Sequence, residues 1–183
     1  MKEHTENRRV RMTKRLMKDA LLELLEHTDL SNISVTALCK AADINRSTFY
    51  NYYTCPSDLL REIENEVLDR IPTPPPVMDH QGEEQLLLAT KSFFDYVQEN
   101  ENVFRILFSE SVNCDFTSRL VDLLCSQHIT STGSVDELSL RYMQCYVANG
   151  TVGMLREWIG SGFPISSREI AEKMYFFSRK ITR

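Results

Sequence analysis

The sequence contains no C-x-x-C pair, no histidine cluster and no long apolar run, and each absence removes a class of function. Its five cysteines, Cys39, Cys55, Cys114, Cys125 and Cys145, are odd in number and irregular in spacing, which argues for free thiols. The four histidines, His4, His27, His80 and His128, are dispersed, so no metal site is expected, and no cofactor either. No apolar segment approaches the ~20 residues needed to span a bilayer, so no membrane partner is expected. The opening stretch MKEHTENRRVR is polar and lacks the apolar segment of a secretory signal, which points to the cytoplasm. No nucleophile–base pair or phosphate-cradling loop is visible, so the chain does not read as an enzyme. There is no repeat, no low-complexity tract and no strand pattern.

What is present is helical periodicity, in a chain of 183 residues with 42% hydrophobic content, enough for a sizeable core. A first helix is expected over about 9–27, with Leu16, Ala20, Leu21, Leu24 and Leu25 as its apolar stripe. Two short helices should lie within 34–53, and a linking helix over about 56–71 with Leu59, Leu60, Ile63, Val67, Leu68 and Ile71 inward. The run from Pro72 to Pro76 should stop that helix and leave a short stiff connector over 72–80. Further helices are expected over about 83–98, 101–108, 116–128, 135–159 and 166–180, with a loop at 131–134. Gly162 and Pro164 mark one stop, and Ser166 with Glu169 forms a capping box. The expected fold class is all-α, with about nine helices. The divisions expected are 1–55, 56–71 and 72–183.

Charge is unevenly spread. Residues 1–18 hold seven Lys/Arg against two Glu, a net +5, so the rest of a chain of net charge −5 carries −10. Basic charge thus adjoins the stretch 34–53. Such polarity suits a face that meets nucleic acid, although a solvated charged tail has the same composition.

Residues 34–53 read SVTALCKAADINRSTFYNYY. Ser34 can cap a helix whose inward face is Val35, Leu38 and Ala41/Ala42. Asp43 suits the turn, because a short polar side chain tolerates left-handed backbone angles. Ile44 should plug the angle between the helices, and Asn45 should cap the second. Phe49 should face the core. A helix-turn-helix of this kind sets its second helix in the DNA major groove. Arg46 can donate two hydrogen bonds to guanine, and Ser47 and Thr48 can reach base edges or a thymine methyl. Exposed N–H groups at Thr36 and Asn45 attract phosphate. Tyr50 and Tyr52 can bind phosphate through their hydroxyls, and they bracket Asn51. By pattern alone, a helical hairpin in an ordinary helical domain fits equally well.

The run T-A-L-C-K-A-A-D-I-N-R-S-T-F-Y-N-Y-Y, followed by Asp58-Leu59-Leu60, resembles the DNA-binding region of the tetracycline-repressor (TetR) family. That resemblance implies a homodimeric transcriptional regulator, a repressor, acting on a palindromic operator in double-stranded DNA. Two positions depart from the family pattern. Asp43 stands where glycine is usual. Pro56 stands where a lysine commonly approaches phosphate, so one cationic backbone contact is expected to be missing. The segment from Tyr146 through Gly150, Gly153 and Trp158 to Gly162-Phe163-Pro164 is similar to the C-terminal domain of regulators related to the dihydroxyacetone-kinase activator.

From the residues, Gly150 and Gly153 inside a helix suggest close helix approach, and Cys39 and Cys145 read as small core residues. The resemblance implies that the last two helices pair with their copies in a second subunit. Candidates for that face are Tyr142, Val147, Leu155, Ile170, Met174, Phe177 and Ser178, unless they only close the monomer core. It also implies an effector, either a small molecule held between helices or a protein partner. Phe93, Phe94, Tyr96, Phe104, Tyr142, Cys145, Tyr146 and Trp158 could line a ligand pocket, or could be plain core.

Overall fold

A computed structural model describes residues 8–72, 82–109, 112, 115–126 and 136–181. Apart from Pro72, the expected connector over 72–80 lies outside the described residues, as does the loop at 131–134; the side chain of Ser178 is also not described. Nine α-helices and no strand occur among the described residues. They are α1 (Arg8–Leu25), α2 (Val35–Ala41), α3 (Arg46–Tyr50), α4 (Pro56–Asp69), α5 (Gly82–Glu99), α6 (Glu101–Leu107), α7 (Phe116–Ser126), α8 (Glu137–Gly160) and α9 (Ser167–Ile181). A 3-10 turn at Leu30–Asn32 leads into α2. The all-α fold class holds.

The chain forms two compact units, Met1–Val67 with Ser109–Asn113, and Leu68–Phe108 with Cys114–Arg183. In the first unit, α1 packs on α2 and α2 on α3. Met17, Ala20, Leu21 and Leu25 form the inward stripe of α1. Leu16 was expected in that stripe but is 41% exposed. The stripe is set by positions 17, 20, 21 and 25, at i, i+3, i+4 and i+8, and Leu16 lies on its flank. Leu38, Cys39, Ala42, Phe49 and Tyr53 are also buried. Ala41 is exposed, so Ala42 alone completes the α2 face.

Pro56 sits at the first position of α4, where its missing N–H costs nothing. Its ring is buried. The Asp58 carboxylate closes that end by accepting from Thr54 N (2.9 Å), the Thr54 hydroxyl and Cys55 N (3.3 Å). These hydrogen bonds, those from Thr54 foremost, hold the Asp58 carboxyl below its ordinary range.

In the second unit, α5 packs on α9, α7 and α6 on α8, and α8 on α9. Phe93, Phe94, Val97, Phe104, Phe116, Leu120, Val152, Leu155, Trp158 and Ile170 are buried. Asp136 caps α8 by accepting from Ser139 N at 3.0 Å. The end of α8 is a Schellman motif. Phe163 N donates to Trp158 O (2.9 Å) and Gly162 N to Ile159 O (3.1 Å). Gly162 takes φ +77°, and the Phe163 ring closes over Trp158 at 4.6 Å. The expected capping box opens α9: Ser166 N donates to Glu169 Oε2 (2.9 Å), and Glu169 N to Ser166 Oγ (3.2 Å).

One expectation for α8 fails, and another is not met within the single chain. Gly150 and Gly153 are not sites of close approach within the chain, because a Cβ at either would meet nothing within 4 Å. Cys145 is exposed rather than a core residue. Gly150 and Gly153 lie on a solvent-exposed face of α8 with Leu138, Tyr142 and Tyr146, and Cys145 lies at the edge of that face beside α7.

Candidate nucleic-acid interface

The turn between α2 and α3 is built by the backbone. Ser34 Oγ accepts from Ala37 N at 3.1 Å and starts α2. Its end is a second Schellman motif, with Ile44 N on Cys39 O (3.0 Å) and Asp43 N on Lys40 O (3.4 Å). Asp43 occupies the glycine position of that motif at φ +51°. Asn45 takes the N-cap place of α3 with extended angles, but its side chain does not cap the helix. Its carbonyl accepts from Thr48 N (3.0 Å) and Phe49 N (3.2 Å). The Asn45 amide is therefore left facing solvent.

Phe49 fixes the facing of α3. It is fully buried and packs edge-on to Tyr50 at 5.8 Å and against Tyr53 at 5.7 Å. With Phe49 inward, Asn45, Arg46, Ser47, Tyr50, Asn51 and Tyr52 are exposed and Thr48 is half-buried. Thr36, on α2, is exposed too. All eight side chains chosen from the sequence thus reach solvent. The Arg46 guanidinium lies over the Tyr50 ring at 5.9 Å. Hydrogen bonding to Tyr50, followed by the pull of the phenol oxygen, pushes the Arg46 pKa further up and keeps it charged.

Behind this surface lies a network that the sequence reading missed. Lys18 Nζ lies 2.7 Å from Glu62 Oε1 and 2.6 Å from Glu66 Oε1. Lys14 Nζ lies 3.3 Å from Glu62 Oε2, to which the Tyr53 hydroxyl also donates at 2.9 Å. The Lys14 ammonium also sits 5.8 Å from both the Tyr52 and Tyr53 rings. These contacts fasten α1 to α4 and to the residues that end the α3 turn. Burial pushes the Glu62 carboxyl up, but the bonds from Lys18, Tyr53 and Lys14 outweigh it and the net shift is downward. The signal was present in the sequence: Lys14 and Lys18 are four residues apart on one helix, and Glu62 and Glu66 on another. As a result, two of the cations counted toward a basic face are held by carboxylates.

The residues chosen for an effector pocket divide between the core and the surface. Phe93, Phe94, Phe104 and Trp158 are buried against one another and their neighbours, with Phe94–Trp158 at 5.4 Å and Tyr96–Phe104 at 5.9 Å. The Trp158 indole N–H donates to Ile165 O at 2.9 Å. Tyr142 and Tyr146 are 68% and 61% exposed, and Cys145 is exposed, so these three line no interior. Aromatic spacing could not separate inward from outward faces here.

The residues chosen for a dimer face also divide. Leu155 and Ile170 are buried in the unit's own core and are unavailable to a second chain. Tyr142 and Phe177 are exposed, while Val147 and Met174 are half-buried. Met174 Sδ meets the Thr151 hydroxyl at 3.7 Å.

Among the described residues no helix is long and apolar enough to cross a membrane, and no His, Cys, Asp or Glu cluster is placed to hold a metal ion.

Residues 84–180 match a TetR-type family model described as "Transcriptional regulator C-terminal region". Comparison with curated proteins gave no match. Among solved structures, the chain resembles the dihydroxyacetone kinase operon activator DhaS at 19% identity, with a TM-score of 0.65, over 92% of this chain and 94% of that one. It resembles a TetR transcriptional regulator from Streptococcus agalactiae 2603V at 19% identity, with a TM-score of 0.66, over 94% and 97%. A TetR-family transcriptional regulator from Syntrophomonas wolfei str. Goettingen superposes with a TM-score of 0.73 at 15% identity, over 93% and 95%. At these identities the structural likeness is one of fold, and the family model covers more than half of the chain. The chain belongs to the TetR family of transcriptional regulators.

Proposed function

We propose that this protein is a homodimeric, sequence-specific DNA-binding regulator that represses transcription from a palindromic operator. One observation carries the reading. The buried Phe49 turns α3 so that Arg46, Ser47, Thr48 and Tyr50 present hydrogen-bonding groups to solvent beside the capped turn of α2. Arg46 would read guanine, with Ser47 and Thr48 on neighbouring base edges. Tyr50, Tyr52, Asn51, Asn45 and Thr36 would hold phosphates and fix the register. The expected cationic contact at Pro56 is absent, which leaves phosphate binding to neutral donors and to the basic residues of α1.

The second subunit would meet the exposed face of α8. Leu138, Tyr142, Tyr146, Gly150 and Gly153 recur at helical spacing there, and α9 adds Phe176 and Phe177. The bare glycines would let a partner helix approach closely, and the tyrosines would supply buried apolar area. Hydroxyl-radical footprinting on DNA from beside the protein's own gene tests the whole reading. Two symmetric protected half-sites about one helical turn apart, or a multiple of it, are expected. A single protected patch would contradict the dimeric reader.

A second reading concerns the signal. The aromatic side chains that could have lined a cavity pack on each other, which favours a protein partner over a small molecule as the effector. Pull-down from native lysate with the purified regulator as bait should then return one stoichiometric partner; its repeated absence would count against this.

A further inference from the structure

Cys125, in the last turn of α7, and Cys145, midway along α8, bring their sulfurs to 4.0 Å across a sequence separation of 20 residues. Both thiols are free, Cys145 exposed and Cys125 half-buried. α7 packs directly on α8, so the pair spans an established helix contact. A disulfide needs the sulfurs at about 2.05 Å, an approach of about 2 Å that rotation about the two Cα–Cβ bonds can share. Of the other described cysteines, Cys39 is buried in the first unit and Cys55 is half-buried just before α4.

We propose that Cys125 and Cys145 form a thiol-oxidation site that takes hydrogen peroxide and closes to an intramolecular disulfide stapling α7 to α8. The exposed Cys145 thiolate attacks a peroxide oxygen and the O–O bond breaks. Cys145 becomes a sulfenic acid, and the departing hydroxide takes a proton as water. The Cys125 sulfur then attacks the sulfenic sulfur, expelling a second hydroxide that leaves as water. Two thiols lose two electrons and two protons, the peroxide is reduced, and two waters form. The assignment of roles follows exposure. Burial first, then the contact with Cys145 and the charge of Asp122, pushes the Cys125 thiol up, so it suits the resolving step.

The test uses the reduced full-length protein, a few equivalents of hydrogen peroxide, and alkylation under denaturing conditions. The number of alkylated cysteines should fall from five to three, and peptide mapping should join residue 125 to residue 145. Dithiothreitol should restore all five. In Cys125→Ser the disulfide should be lost and dimedone should label Cys145; in Cys145→Ser both should disappear. Neither replacement touches a core side chain, and far-UV circular dichroism checks the fold. Retention of five thiols, overoxidation of Cys145 to sulfinic acid in the wild type, or a Cys145-linked covalent dimer in place of the internal bond would overturn the proposal.

Discussion

Removing Glu62 should loosen the reading domain without replacing any residue proposed to meet DNA. Its carboxylate takes Lys18 at 2.7 Å, the Tyr53 hydroxyl at 2.9 Å and Lys14 at 3.3 Å, and its side chain is 28% exposed. Exposed ion pairs contribute about 0–1 kcal/mol. The Lys18 pair is only 14%/28% exposed and belongs near the top of that range, whereas the longer Lys14 contact is worth about half as much. A hydrogen bond to a charged group is worth roughly 1.5–3 kcal/mol when dry, and solvent at this edge brings it nearer 1. Lys18 keeps Glu66 at 2.6 Å, so it is not left stranded. The sum for Glu62→Ala is a loss of about 2.5 kcal/mol, or a fall in Tm of roughly 5–10 °C for a chain of this size. Thermal unfolding followed by far-UV circular dichroism reads it.

The pH dependence adds a sign. The folded carboxyl titrates below its ordinary 4.5, so its contribution is complete above that value and is lost as pH falls through the folded one. The gap between wild type and Glu62→Gln should therefore be full at about pH 6 and narrow as pH falls below 4.5. A Tm change under about 1 °C for the alanine variant, or a gap that widens in acid, would refute the reasoning.

Other expectations follow from the same structure. Arg46→Ala should lose roughly 1–3 kcal/mol of discrimination between specific and random DNA by competition binding; equal loss on both would remove its base-reading role. Asp43→Gly should gain about 0.5–1 kcal/mol in urea unfolding, since glycine takes φ +51° without the steric cost that a Cβ adds; a loss would mean that the aspartate side chain holds the turn. Tyr142→Arg with Tyr146→Arg should weaken self-association at least ~10-fold by sedimentation, and an unchanged assembly would place the interface elsewhere. Leu155→Ala, at a fully buried site, should instead cost about 2–5 kcal/mol of stability; a near-zero cost would contradict its place in the core.

The helix set was legible because long amphipathic periods and caps leave local marks. Ser34, the Ser166–Glu169 box and Gly162 each act within a few residues of themselves, and each does so in the structure. Asp43 was legible for the same reason. What sequence could not resolve was which face of α8 turns inward. That helix carries apolar and aromatic residues all round, so Leu155 and Trp158 read like Tyr142 and Tyr146 until neighbouring helices choose between them. Asn45 sits in the cap position without capping, because position is local whereas side-chain direction is not. The Lys14–Lys18 and Glu62–Glu66 spacing was visible on two separate helices, but nothing local says that those helices meet.

Fluorescence anisotropy of the purified protein on DNA from beside its own gene, across a salt series and with random DNA as competitor, tests the central claim most directly. A regulator that reads bases through Arg46, Ser47 and Thr48 should bind that DNA at least 10³-fold more tightly than random sequence, with a shallow salt slope because Pro56 supplies no cation. Binding that is equal on both DNAs and vanishes with salt would contradict it.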